Sequence, residues 1–393
     1  MTANTFRTRA ALLLVSSLTV MAGAIIAPAL PALQAHFAEA ASAGLWVRLV
    51  LTVPALLIVL SAPLAGLVAD RWGRRPLLVP ALILYGIAGS SGLYLDALGA
   101  ILAGRALLGV AVAGIMTGAT TLIADYYEGS ARAQFMGWQA AFMSLGGVGF
   151  LTGGGLLAEW GWRWPFAVYL VAFLLVPLAL VALPEPVRPA ARERTGEAVG
   201  GAGVRPTRLL GFLYGTALSG MILFYFIPLQ IPFYLEALVG AGPTASGMAI
   251  AVATLFGTAT SLAYRRIRTR IGYLPILALS FGLMGVGYLL IGLADGYLSV
   301  LAGLAVGGLG MGLMFPNLNV WLAAEVPAAV RGRAVGGLTT AIFLRRRLGA
   351  AAFLGFRTGC ATARSVFDEY ALSIPVMPYG RRNGHYFYSK QMG

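Results

Sequence analysis

Long apolar runs and short polar interruptions alternate along this chain. Ten runs stand out, at about 9–33, 46–69, 76–95, 98–124, 137–158, 163–183, 209–235, 245–264, 273–294 and 297–323. Each is close to the ~20 residues that a helix needs to cross the hydrocarbon of a bilayer. Their apolar residues are continuous rather than alternating, which predicts helices and not the strands of a membrane barrel. The stretch 184–208 is different: polar, arginine-rich and opening on Pro184-Glu185-Pro186. It is the only long internal loop, and it predicts a cytoplasmic linker between a six-helix bundle (1–183) and a second bundle (209–344). Ala38-Glu39-Ala40 resembles a signal-peptide cleavage site. The run from Ala10 to Leu33 is longer than a usual signal core and holds Pro28 and Pro31, so it reads as a permanent first helix.

Composition makes the bilayer the solvent. Hydrophobic residues are 59% of the chain and charged residues 11%, with a mean hydropathy of +0.82. A water-soluble domain carries about 25% charged residues, so this chain cannot cover itself with a polar surface. Its 52 glycines suit helices that touch closely inside a membrane.

A net charge of +14 would suggest a nucleic-acid partner in a soluble protein, but its placement argues otherwise. Of twenty arginines up to Leu344, seventeen fall in the N-terminus or in every second loop: Arg7, Arg9, Arg71, Arg74, Arg75, Arg132, Arg188 to Arg208, Arg265 to Arg270, Arg331 and Arg333. The intervening loops hold Glu39, Asp96, Glu159, Glu236 and Asp295, with Arg48 and Arg163 nearby. That is the positive-inside pattern, and it places the N-terminus in the cytoplasm.

The two sides of the linker are related. A shift of 199 residues places Leu102-Ala103-Gly104 on Leu301-Ala302-Gly303, Gly109 on Gly308, Arg132 on Arg331 and Gly137 on Gly336. Without a gap, it also places Arg71, Gly73 and Pro76 on Arg270, Gly272 and Pro275. Single matches mean little in a chain rich in small residues; the common register carries the weight. It predicts two parallel halves of six helices each.

Between the second and third runs stands the charged knot Gly66-Leu67-Val68-Ala69-Asp70-Arg71-Trp72-Gly73-Arg74-Arg75-Pro76. Glycines there would let two helices approach, arginines would stay inside, and the aspartate could cap or pair. A strand–helix loop of a soluble protein is the plain alternative, and the flanking spans argue against it. The knot resembles the G-x-L-x-D-R-x-G-R-[KR] signature between helices two and three of the major facilitator superfamily of transporters. Gly66, Asp70, Arg71, Gly73, Arg74 and Arg75 carry the likeness. The resemblance covers residues 1–344 and implies an all-α polytopic membrane protein with the major-facilitator fold, two pseudo-symmetric helix bundles. Among its branches the chain looks most like the bacterial twelve-helix drug:proton antiporters.

The second bundle reads as incomplete. An eleventh helix opens at Gly332-Arg333-Ala334 and meets Arg345-Arg346-Arg347 about halfway across. The stretch 345–393 holds the chain's only lysine, Lys390, and only cysteine, Cys360, and no further credible span. A helix ending within hydrocarbon would strand its carbonyls. The expectation is a reading-frame change near codon 345, with a genuine cytoplasmic tail as the alternative.

Within the resemblance, residues matching Asp70, Arg74 and Asp125 form a charge network that holds the outward-open state, the aspartate also reaching the start of helix eleven. The plain alternative is that they only set topology. Arg105 lies about eight residues below the outer surface in the fourth run, at a cost of about 2.5–3.5 kcal/mol, so it needs a polar cavity or a partner. Its setting, Arg105-Ala106-Leu107-Leu108-Gly109, looks like the arginine motif of proton-coupled members and implies a role in coupling or substrate charge. Snorkelling or structural hydrogen bonding is the alternative. Its repeat equivalent is Leu304, so the fold itself does not demand the charge.

The fifth run keeps the paired glycines of the antiporter signature but lacks its proline, reading Phe150-Leu151-Thr152-Gly153-Gly154-Gly155. Gly146, Gly149, Gly153 and Gly154 predict close packing of that helix. Family members line their path with helices one, four, seven and ten. The polar or aromatic candidates there are Ser17, Thr117, Thr120, Ser219, Tyr225, Gln230, Asn317 and Asn319, which satisfied interhelical contacts explain equally well. No acidic residue lies mid-membrane, so proton carriage would use Asp70, Asp125 or Glu236, or act through Arg105.

A lone cysteine gives no disulfide framework. The sequence holds no zinc motif, phosphate loop or nucleophile with a base, and no metal or cofactor is expected. The linker is too short for a nucleotide-binding domain, which excludes an ATP-driven pump. The expectation is therefore not an enzyme but a monomeric secondary transporter of the cell inner membrane, exporting a small amphipathic or apolar compound against protons. Proton-coupled uptake of a small metabolite and a truncated, non-transporting product are the rivals.

Overall fold

Ten helices long and apolar enough to cross a membrane run through the described residues 5–40, 42–186 and 208–325 of this computed structural model. They are α1 (Phe6–His36), α2 (Ala43–Trp72), α3 (Arg74–Tyr94), α4 (Leu98–Tyr126), α5 (Gly129–Glu159), α6 (Trp164–Ala182), α7 (Arg208–Val239), α8 (Pro243–Arg268), α9 (Tyr273–Gly292) and α10 (Tyr297–Glu325). The expected eleventh helix, the stretch 345–393 and most of the linker lie outside the described residues.

Helix termini depart from the sequence expectation where helices extend past the hydrocarbon. α5 begins at Gly129 rather than near 137, because a polar first turn or two costs a helix nothing in water. The Arg132 side chain there turns back to the carbonyls of Tyr127 (Nε, 2.8 Å) and Ala124 (Nη2, 2.5 Å), covering orphan acceptors at the end of α4. α1 is interrupted: a helix over Phe6–Ala24, a 3-10 turn over Ala27–Ala29 and a short helix over Leu30–His36. Pro28 and Pro31 impose that break, since neither has an N–H for the ladder.

The 199-residue repeat recurs in the packing. A methyl group on Gly109 of α4 would sit 2.2 Å from the carbonyl oxygen of Pro54 in α2, and one on Gly308 of α10 would sit 2.3 Å from that of Ala253 in α8. Gly104 of α4 lies against Ser91 and Ala88 of α3; Gly303 of α10 lies against Gly287 and Ile291 of α9. Pro54 and Ala253, and Ala88 and Gly287, are themselves 199 apart. The middle helix of each half therefore crosses the same two neighbours at the same places. Small residues let backbones approach in hydrocarbon, where dispersion contacts carry the association.

The fifth helix departs from its expectation. Gly154 does pack closely, its methyl position 2.1 Å from the Ile25 carbonyl at the α1 break. Gly149 and Gly153 have nothing within 4 Å among the described residues, and Gly146 has only ordinary contacts, the nearest 3.4 Å. The tight neighbour of Gly154 is instead Gly155, 2.6 Å from the Pro243 carbonyl of α8. Spacing alone could not tell which stripe of a glycine-rich helix meets a backbone.

Candidate functional site

The α2–α3 hairpin turns on Gly73. Its φ of 114° and ψ of 168° lie in a region essentially reserved for glycine. A methyl group there would also meet the Glu185 carboxylate at 2.5 Å. That carboxylate, just beyond α6, accepts from the backbone N–H groups of Arg74 (2.8 Å) and Arg75 (2.7 Å). It thus caps the N-terminus of α3, where unpaired donors and the helix dipole both favour an anion. Glu185 is not among the site residues that the sequence singles out. Its signal was an acidic residue between two prolines directly after an apolar run.

The same hairpin carries an ion pair. Arg74 Nε lies 2.8 Å from Asp125 Oδ2, with side chains 20% and 30% exposed. The N–H does not point along that line, so the contact is charge pairing rather than a directed hydrogen bond. Arg74 Nη1 donates to the Ala69 carbonyl (3.3 Å), and Arg75 Nη2 donates to the Leu180 carbonyl (2.7 Å). One end of the first bundle is therefore laced from α2 through α3 to α4 and α6. Asp70 and Arg71 are exposed at the last turn of α2. Gly66 has no neighbour within 4 Å among the described residues, so the close approach expected of both glycines belongs to Gly73. The helix-eleven partner expected for Asp70 lies outside the described residues.

Arg105 is fully buried in α4. Nε donates to the Val50 carbonyl (2.9 Å), Nη1 to the Tyr169 hydroxyl (2.9 Å) and Nη2 to the Ala22 carbonyl (2.5 Å). Tyr169 also donates to the Ala22 carbonyl at 2.9 Å. Two of these acceptors are carbonyls that their own helices leave unpaired. The residue four beyond Val50 is Pro54, which has no N–H to give it. The helical part of α1 ends at Ala24, leaving Ala22 among its orphan carbonyls. Arg105 therefore ties α1, α2 and α6, and it supplies the donor that the Val50 carbonyl would otherwise lack in hydrocarbon. The first half of the fold does demand it, and the second half does not: Ala253 stands where Pro54 would, with an N–H available for Ala249.

The path candidates divide. Asn317 is fully buried, its Nδ2 donating to the Tyr273 carbonyl (2.9 Å) and its Oδ1 accepting from Tyr264 (3.2 Å). It joins α10 to α8 and α9. Asn319 Nδ2, Ser219 and Ser17 each bond a carbonyl of their own helix. Tyr225 meets the Phe224 ring, and Thr117 and Thr120 lie on α4, half-buried and exposed respectively. Gln230 lines a cavity of about 380 Å³ between α7 and α9, with Phe226, Phe233, Tyr234 and Tyr288 among its walls. Both tyrosine hydroxyls are engaged by carbonyls, Tyr234 with Ile291 (2.8 Å) and Tyr288 with Leu223 (2.5 Å), so the cavity offers aromatic faces and one carboxamide.

Comparison with known proteins follows the same lines. The profile of the Major Facilitator Superfamily matches residues 12–350. A 67-residue stretch is 37% identical to Efflux pump ustT of Ustilaginoidea virens, covering 17% of this chain and 12% of that protein. The chain thus spans a small fraction of that relative. Among solved structures, a D-xylose–proton symporter superposes with a TM-score of 0.71 at 17% identity, over 88% of each chain. A bacterial homologue of the human lysosomal transporter Spinster, inward-facing and occupied, also gives 0.71, at 19% identity over 92% of this chain and 85% of that one. At such identities the likeness is one of fold.

Proposed function

The chain belongs to the Major Facilitator Superfamily, and from that premise we propose that it exports a small amphipathic or apolar compound in exchange for protons by alternating access. It is a multi-pass transporter and not an enzyme. The observation that carries the alternating-access reading is the Arg74–Asp125 pair at the α2–α3 hairpin of one of two repeated bundles. A few ion pairs on one face can bias a two-state rocking equilibrium by a few kcal/mol. Asp70 and Arg71 act with them as the switch, and proton coupling uses Asp70, Asp125 or Glu236, or acts through Arg105. The aromatic cavity beside Gln230 supports an apolar or amphipathic substrate. The stretch shared with an efflux pump supports export over uptake. The arginine-bearing ends face the cytoplasm, in the inner membrane, and the protein works as a monomer. The frame account of residues beyond 344 belongs to the same proposal; resequencing that finds no apolar spans in the alternative frame overturns it.

The test is transport by the full chain in liposomes under an imposed pH gradient, with an amphipathic fluorescent dye as substrate. Efflux that follows the gradient and collapses with a protonophore is expected. Movement in the opposite sense selects uptake, and gradient-independent flux overturns the coupling.

A further inference from the structure

The end of the molecule opposite the α2–α3 hairpin holds a second carboxylate on a helix N-terminus, and this one bridges the two halves. Glu159, the last residue of α5, accepts from the Thr244 backbone N–H in the first turn of α8 at 3.1 Å. Gly242 is the N-cap of α8 and supplies no capping side chain. Its missing side chain is what admits the carboxylate: a methyl group there would lie 2.9 Å from Glu159 Oε1. The cap that most helices carry within their own chain segment is here supplied by the other bundle.

The backbones beneath are pressed together. Methyl positions on Gly155 of α5 and Gly247 of α8 would lie 2.6 Å and 2.3 Å from the carbonyls of Pro243 and Leu151. The break in α1 closes the same junction, with Ile25 against Gly154 and Pro28 against Gly247. The electrostatics are one-sided. A carboxylate at the C-terminus of its own helix is opposed by that helix's dipole, and it is favoured only by the N-terminus of α8. The charge is well placed while α5 and α8 are apposed and badly placed once they part. The Thr244 hydroxyl is buried here without a hydrogen-bond partner, which works against closure. The junction therefore combines a favourable cap with an unpaired polar group, as a contact that must repeatedly open requires.

We propose that Glu159 is the clasp that holds this end of the two bundles closed, a positioning residue for transport. The proposal rests on the alternating-access reading given above. In a Cys360→Ser background, spin labels replace Trp160 and Leu298, which are 76% and 78% exposed at this end in opposite halves. The distance between labels is measured in the reconstituted full chain. Glu159→Ala removes the cap and shifts the closed-to-open ratio roughly two- to thirty-fold, the range that loss of a helix cap allows. Glu159→Gln keeps an acceptor oxygen and restores most of the short-distance population. The unfolding temperature is expected to stay within a few degrees of the parent, so the shift in distances reports the closed-to-open balance and not unfolding. A Glu159→Ala distance distribution identical to the parent's overturns the clasp, whatever the transport result. Distances that shift while no variant, nor the parent, moves substrate leave the clasp standing and overturn the transport reading.

Discussion

Arg105 donates to the hydroxyl of Tyr169 at 2.9 Å, and both residues donate to the carbonyl of Ala22. The guanidinium also lies 5.4 Å from the centre of the Tyr169 ring. A cation in hydrocarbon is thus held by neutral acceptors on three helices; no carboxylate comes within ion-pair distance among the described residues.

Arg105→Leu is expected to destabilise the protein, chiefly by stranding the Val50 carbonyl that Pro54 leaves unpaired. An unsatisfied buried acceptor costs about 1–3 kcal/mol. Pro54→Ala restores an N–H at that position, so the double variant should recover most of the loss. Thermal unfolding of the detergent-solubilised variants checks this, and a single variant as stable as its parent would remove the carbonyl argument. If the double variant folds yet loses its dependence on a pH gradient, Arg105 also serves coupling.

Glu185→Ala should cost about 0.5–2 kcal/mol, the range for a lost helix cap. Gly73→Ala should cost about 1–3 kcal/mol from its φ of 114° alone, before the clash with Glu185 is counted. Because the added methyl displaces the same carboxylate, the two losses should not add. Additive losses in a double-variant cycle would show that Glu185 does not act through the start of α3.

Asp125→Asn separates stability from switching. The pair with Arg74 is partly exposed, so its loss should change unfolding free energy by less than about 1 kcal/mol. Transport should fall roughly ten-fold, equivalent to about 1.4 kcal/mol of bias between states. Asp70→Asn in a frame-restored protein should insert normally and show a similar loss. Parental flux in both variants would reduce the hairpin charges to topology.

Glycines of α5 should differ sharply despite their common spacing. Gly154→Val, pressed against the Ile25 carbonyl, should lose about 1–3 kcal/mol through overpacking, while Gly149→Val should be near neutral. Equal losses at the two positions, measured as folded yield after membrane extraction, would contradict the packing described.

Hydropathy, arginine placement and the 199-residue register were enough to establish the ten spans and the two related halves, because the bilayer filters segments by length and polarity before any tertiary contact forms. The pairing of Arg74 with Asp125 came only from the family resemblance, and the structure places the two 2.8 Å apart. What spacing could not supply was the partner of a lone polar group. Whether Arg105 faces a cavity or a carbonyl depends on a proline in another helix, 51 residues earlier in the chain. Whether Glu185 and Glu159 are linker polarity or helix caps depends on which N-terminus the packing delivers to them. Gly154 and Gly149 are chemically identical, and only the path of α1 makes a side chain costly at one of them. Membrane insertion is a local property of the chain, whereas the pairing of donors and acceptors inside the bilayer is a property of the assembled bundles, and tertiary structure alone decides it.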